Sequence, residues 1–189
     1  MTWGQLDLSA RKPKQKKKTV LRVSRISQEL DELLQRDAEN KRMSVNALVT
    51  SILTKYWEWD RYAEKFGFMS LGREIVIAML ESADQEKLEK FGDELGAQLT
   101  KQFILFWFKK VNVETFLAYI TLVSRYGGIT KSEIEAEGRE YTVSSLHDLG
   151  PKWSSFLKHF IDSGLKSTLG VVAEFETTKN SVIGRFTVS

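Results

Sequence analysis

A β-prone run, Thr19 to Ile26, leads directly into two short amphipathic helical patterns, and a unit of that size limits what the chain can be. Ser27 is a good helix N-cap. Behind it Leu30, Leu33 and Leu34 share a face with Ala38, while Glu29, Asp31 and Glu32 occupy the first turn, where a helix dipole favours negative charge. Asn40, Lys41 and Arg42 break this pattern. Ser44 then caps a second helix striped by Leu48, Val49, Ile52, Leu53 and Tyr56. One strand and two helices, about forty residues, hide too little apolar surface to fold alone. Such a unit needs a second copy, with the two strands paired as an antiparallel ribbon and four helices sharing one core.

The order strand, helix, helix, the Arg22-x-Ser24-Arg25-Ile26-Ser27 lead into the first helix and the Ser-Val-Asn-Ala-Leu opening of the second resemble the ribbon-helix-helix family of DNA-binding proteins. The resemblance covers roughly a quarter of the chain. It implies a ribbon lying in the DNA major groove, with alternate strand residues reading base edges and the second helix holding a phosphate on its N-terminal N–H groups. On this chain the phosphate anchor would be Ser44, Val45 and Asn46, and the base readers would come from Arg22, Ser24 and Arg25. Strict alternation sets Arg22 and Ser24 opposite Leu21 and Val23. The family register, counted back from the helix cap, instead sets Arg25 toward DNA together with Val23 and Leu21. A one-residue slip separates the two. Arg25 reads bases under both if the strand bulges near Ser24, and arginine is the commonest bidentate partner of guanine.

Net charge is only +3, but its distribution is uneven. From Met1 to Ser27 the one acid is Asp7, against eight lysines and arginines. Lys16, Lys17 and Lys18 stand directly before the reading strand, where they would neutralise phosphates and release counterions whatever the base sequence. Residues 1–17 have little periodicity and are expected to be a disordered basic arm. The longest apolar run, Phe103 to Phe108, is far too short to span a bilayer, and no signal-peptide pattern opens the chain. The absence of cysteine removes disulfides and thiolate chemistry and fits a reducing cytoplasm.

The second helix is expected to run past Tyr56 to Phe66, since no breaker precedes Gly67. Residues 18–66 then form the DNA-binding domain, 67–72 a linker, and 73–189 a mixed α+β domain for oligomerisation or sensing. Within it Arg73–Leu80 suits either a strand or a helix. Ser82 and Gln85 predict a capping box for a helix buried through Leu88, Phe91, Leu95 and Leu99, with Gly92 and Gly96 weakening it or admitting a close neighbour. Asn112 begins a helix that ends at Gly127-Gly128, and Thr130 with Glu133 predicts one more helical turn before Gly138. Glu140–Leu146 reads as a strand, Pro151 as the start of a helix striped by Trp153, Phe156, Phe160 and Leu165, and the runs around Phe175 and Phe186 as a hairpin. The expected whole is α+β: an N-terminal β-α-α unit, then helices over a small antiparallel sheet.

Catalytic signals are sparse. His147 beside Asp148 and His159 are the only histidines, no two share helical ligand spacing, and neither a Gly-x-Ser-x-Gly turn nor a glycine-rich phosphate loop is present. No catalytic residue, metal or cofactor is expected, and the partners expected are double-stranded DNA and a second copy, or a higher assembly through Phe103–Phe108. The function expected is sequence-specific transcription regulation. An antitoxin, or an architectural protein binding nucleic acid without sequence preference, is the alternative.

Overall fold

Ser27 and Ser44 open the first two helices, as their positions predict. In the computed structural model, which describes residues 19–188, Ser27 Oγ accepts from the Leu30 N–H at 3.2 Å and starts α1, Gln28–Asn40. The helix closes with the Arg42 N–H on the Glu39 carbonyl and the Met43 N–H on the Ala38 carbonyl, both 2.9 Å, around Arg42 in the left-handed region at φ +53°. Ser44 then caps α2, Val45–Lys55. The chain stays helical beyond it, through a π turn at Tyr56–Asp60, α3 at Arg61–Ala63 and a tighter 3-10 turn at Glu64–Phe66, until Gly67 at φ +68°. Ala38, Leu48 and Trp59 are the buried apolar residues among those described in this N-terminal unit, and Trp59 stacks on Phe68 with centroids 5.0 Å apart.

The N-terminal β-α-α arrangement is not what the structure shows. Residues 19–27 belong to neither strand nor helix and are exposed throughout, and the four strands of the described residues all lie toward the C-terminus, within residues 131–187. The β propensity of Thr19–Ile26 is real, but a strand exists only when a neighbour accepts and donates its ladder bonds. None of the described residues supplies that neighbour. The DNA-binding reading of the sequence therefore loses its ribbon and keeps its two capped helices.

The second compact unit begins at Ser70. Arg73–Ser82, ambiguous in sequence, is helix α4. Asp84 rather than Ser82 caps α5, Gln85–Phe108, by accepting the Lys87 N–H at 3.0 Å; Ser82 ends α4 and donates to the Met79 carbonyl. Asn112 starts α6, Val113–Tyr126, in a reciprocal box: its Oδ1 accepts the Thr115 N–H and its own N–H donates to Thr115 Oγ1. The helical turn expected after Thr130 is instead strand β1, Lys131–Glu137, which turns at Gly138 (φ +62°) into β2, Glu140–Leu146. There Ser132 and Ile134 alternate with glutamates, a period of two that decides against helix. Pro151 leads α7, Pro151–Leu169, and β3, Glu174–Thr177, and β4, Ser181–Thr187, complete an antiparallel sheet in the order β1-β2-β4-β3. One row across it is Ile134, Val143, Gly184 and Phe175.

What α5 buries is not the leucine stripe predicted for it. Phe91 and Leu95 are exposed, and the buried positions are Gly92, Gly96, Thr100, Ile104 and Trp107. A Cβ on Gly92 would sit 2.7 Å from the Phe156 carbonyl oxygen, and one on Gly96 would overlap the Phe160 backbone; on α7, a Cβ at Gly164 would come 2.8 Å from Thr100 Oγ1. The two helices thus meet backbone to backbone at Gly92 and Gly96 and backbone to side chain at Gly164, as the glycine spacing allowed. Below that seam Ile104, Phe116, Leu117, Val143, Ile161, Leu165 and Phe186 form one core between helices and sheet.

Gly96→Ala should destabilise the protein by about 2–3 kcal/mol, because the overlap is with backbone and cannot be relieved by a side-chain rotation. Chemical denaturation would register this as a lower midpoint with an unchanged slope. An unchanged midpoint would mean that α5 and α7 do not meet along the glycines.

Candidate nucleic-acid interface

The turn that ends α1 also begins α2. Ser44 Oγ accepts the Ala47 N–H at 3.2 Å, which leaves the N–H groups of Val45 and Asn46 directed out of the helix with no intrahelical acceptor. Ser44 and Asn46 are exposed and Val45 is half-buried. The first turn of α2 contains no acidic residue, whereas the first turn of α1 carries Glu29 and Asp31. The N-terminal end of α1 is thus already neutralised, and that of α2 keeps its positive field. Lys41 and Arg42 enter the same turn from the preceding residues, both exposed.

Arg42 stands out because a non-glycine residue in the left-handed region costs about 1 kcal/mol. Lys109, after α5, is the other such residue among those described. Glycine or asparagine would serve the turn better, so arginine at this position trades stability for a cation beside a helix N-terminus. In the sequence, Lys41 and Arg42 register only as a break between helices. The signal was available in the basic pair two residues ahead of an uncompensated cap.

Of the other expected contacts, Arg22, Ser24 and Arg25 lie in the exposed segment that leads to Ser27, outside any strand. Lys16, Lys17 and Lys18 lie outside the described residues. Ser44, Val45 and Asn46 lie together at the start of α2.

The two histidines are engaged in holding the C-terminal unit together. The Leu149 N–H donates to His147 Nδ1 at 3.3 Å, so Nε2 carries the proton and donates to Ser154 Oγ at 2.9 Å; the Ser154 hydroxyl in turn donates to the Lys179 carbonyl at 3.2 Å. Activating a serine requires the opposite tautomer, with Nε2 accepting. Ser154 is moreover buried, 2% exposed, so this chain of bonds ties the start of α7 to the β3–β4 turn. His159 Nδ1 lies 3.1 Å from Asp93, across the α5–α7 seam. Nearby, Glu89 accepts from Gln85 and Ser155, which holds its carboxyl below the usual range. Among the described residues no group of three or more His, Cys, Asp or Glu is placed to hold a metal ion, and no helix is long and apolar enough to cross a membrane. An open depression of about 550 Å³ lies where the start of β2, the end of β4 and the α7–β3 connection meet, lined by Tyr141, Phe186, Val171 and Val172 and edged by Glu140 and Glu174.

No protein-family model matches the chain, and comparison with curated proteins finds no match.

Two outcomes follow from these geometries. Arg42→Gly should stabilise the protein by about 1 kcal/mol, read from the denaturation midpoint. The second concerns His147, whose pKa burial lowers from the ordinary 6.5 against a smaller upward pull from Asp148. The unfolded chain then takes up this proton first as pH falls, so the stabilising contribution is complete above pH 6.5 and is lost as the pH drops through that value toward the folded one. His147→Gln should flatten the fall in melting temperature between about pH 7 and about pH 5 relative to the parent. Parallel melting curves for the two proteins over that range would refute the bonding scheme.

Proposed function

We propose that this protein is a DNA-binding transcription regulator that acts as a homodimer in the cytoplasm, gripping a backbone phosphate at the N-terminus of α2 and reading bases from the basic segment before α1. The observation that carries the reading is the α1–α2 turn, where unsatisfied N–H groups, the absence of acidic residues and a conformationally costly arginine coincide. Phosphate recognition at a helix N-terminus uses these features. Arg22 and Arg25 supply the side chains best suited to guanine edges, and the lysines at 16–18 supply attraction that is indifferent to sequence.

The N-terminal unit's surface supports dimerisation. Ile26, Leu30, Leu33, Ile52, Leu53 and Tyr56 are each between 44% and 63% exposed, against a buried apolar set of one alanine, one leucine and one tryptophan. Leu30, Leu33, Ile52 and Leu53, half of the eight valine, leucine and isoleucine side chains on α1 and α2, would otherwise face water, and a second copy of the same surface covers them. The site's basic character is then doubled, one phosphate grip per copy.

Binding measured against a cognate duplex and an unrelated one separates the roles. Arg25→Ala should lose about 1–3 kcal/mol of discrimination, whereas Lys17→Ala should weaken both duplexes alike and reduce the salt dependence. Asn46→Asp, placing a negative charge at the phosphate grip, should weaken both without altering the preference. Full affinity and selectivity in Arg25→Ala would remove it from the bases, and full affinity in Asn46→Asp would remove α2 from the interface.

A further inference from the structure

Helix α5 packs one face into the fold and carries a second, partly apolar stripe that is exposed apart from a half-buried Leu88. The glycine face lies against α7, while Leu88, Phe91, Leu95, Gln98, Gln102 and Leu105 follow one another at alternating spacings of three and four along the other side. Phe91 is 52% exposed, Leu95 38% and Leu105 41%; Gln98 and Gln102 are exposed as well. That spacing is the a/d repeat of a two-helix seam, sustained over the length of the helix.

We propose that this stripe is a contact with a second copy of the chain, α5 packing antiparallel on α5 about a twofold axis between Gly96 and Ala97. In that register every a position meets a d position of the other copy: Leu88 faces Leu105, Phe91 faces Gln102 and Leu95 faces Gln98. The flank is self-complementary too, since exposed Glu94 comes opposite exposed Lys101 of the second copy, and the symmetry makes the pair twice. Glu94 is otherwise 3.8 Å from Lys90 in an exposed intrahelical pair that a better partner readily replaces. A parallel pairing would set Glu94 against Leu99 and Lys101 against Phe106, leaving both charges without partners. The two glutamines inside the seam fix register, as polar residues at such positions do. This contact rests on the C-terminal unit alone and stands or falls separately from the DNA-binding reading.

The test uses the full-length chain with Leu53→Glu, which removes an exposed apolar side chain from the proposed N-terminal dimer surface. Sedimentation equilibrium should still show a dimer. Adding Phe91→Asp should weaken it about a hundredfold, and Glu94→Lys about tenfold, with Lys101→Glu added to Glu94→Lys restoring the parent value. Because the chain lacks cysteine, Gln98→Cys joined by a short bis-maleimide should yield a covalent dimer, whereas Glu135→Cys on the outer face of the sheet should not. A monomer in the Leu53→Glu protein, an unaltered dimer in Phe91→Asp, failure of the charge exchange to restore association, or equal crosslinking at the two cysteines would each overturn the proposal.

Discussion

The meeting of α5 and α7 along Gly92, Gly96 and Gly164 is the contact on which the C-terminal unit depends. Without side chains on the near faces the helices close to backbone distance, and only at that distance do Ile104 and Ile161 reach the same core as Phe116 and Phe186. The consequences extend to polar groups. Thr100 is buried at the seam, and burial holds the nearby Tyr119 phenol well above the usual tyrosine range. His159 and Asp93, Ser155 and Glu89, and Ser163 with the Asp93 carbonyl bond across the two helices because the glycines bring them within reach. Using the glycine side for α7 also releases the Phe91 side of α5, the origin of its second, partly apolar stripe.

The N-terminal unit is governed by a different constraint. Its helices are well capped at both serines, so their ends are specified, yet the apolar residues buried among its described residues are Ala38, Leu48 and Trp59 alone. Good local signals and a small core produce helices whose large side chains remain available for another surface. In such a unit the turn between the helices can hold a strained arginine, because its conformation is enforced by the Schellman bonds to Ala38 and Glu39 rather than by deep packing.

Much of this was legible in the sequence. Ser27, Ser44, Asn112 and Pro151 marked helix starts because capping is a local interaction, and Tyr141, Val143, Val182 and Phe186 marked strands because alternation is local too. Three expectations failed where the outcome depends on a distant partner. Thr19–Ile26 is β-prone but has no ladder partner among the described residues; the leucines of α5 are apolar but α7 takes the glycines; and Thr130–Glu137 resembles a cap until β2 pairs with it. The candidate phosphate grip at Ser44–Asn46 was visible for the same reason as the caps. Arg42 was not, since its significance lies in a backbone angle.

The account's central claim is that the N-terminal unit reads DNA sequence, and selection from a pool of random duplexes at moderate salt addresses it directly, because counterion-driven binding is weakened there while base contacts persist. The account predicts enrichment of one short motif, retained by the full-length protein and lost with Arg25→Ala. Recovery of DNA with no enriched sequence, or no retention of duplex at all, would contradict it.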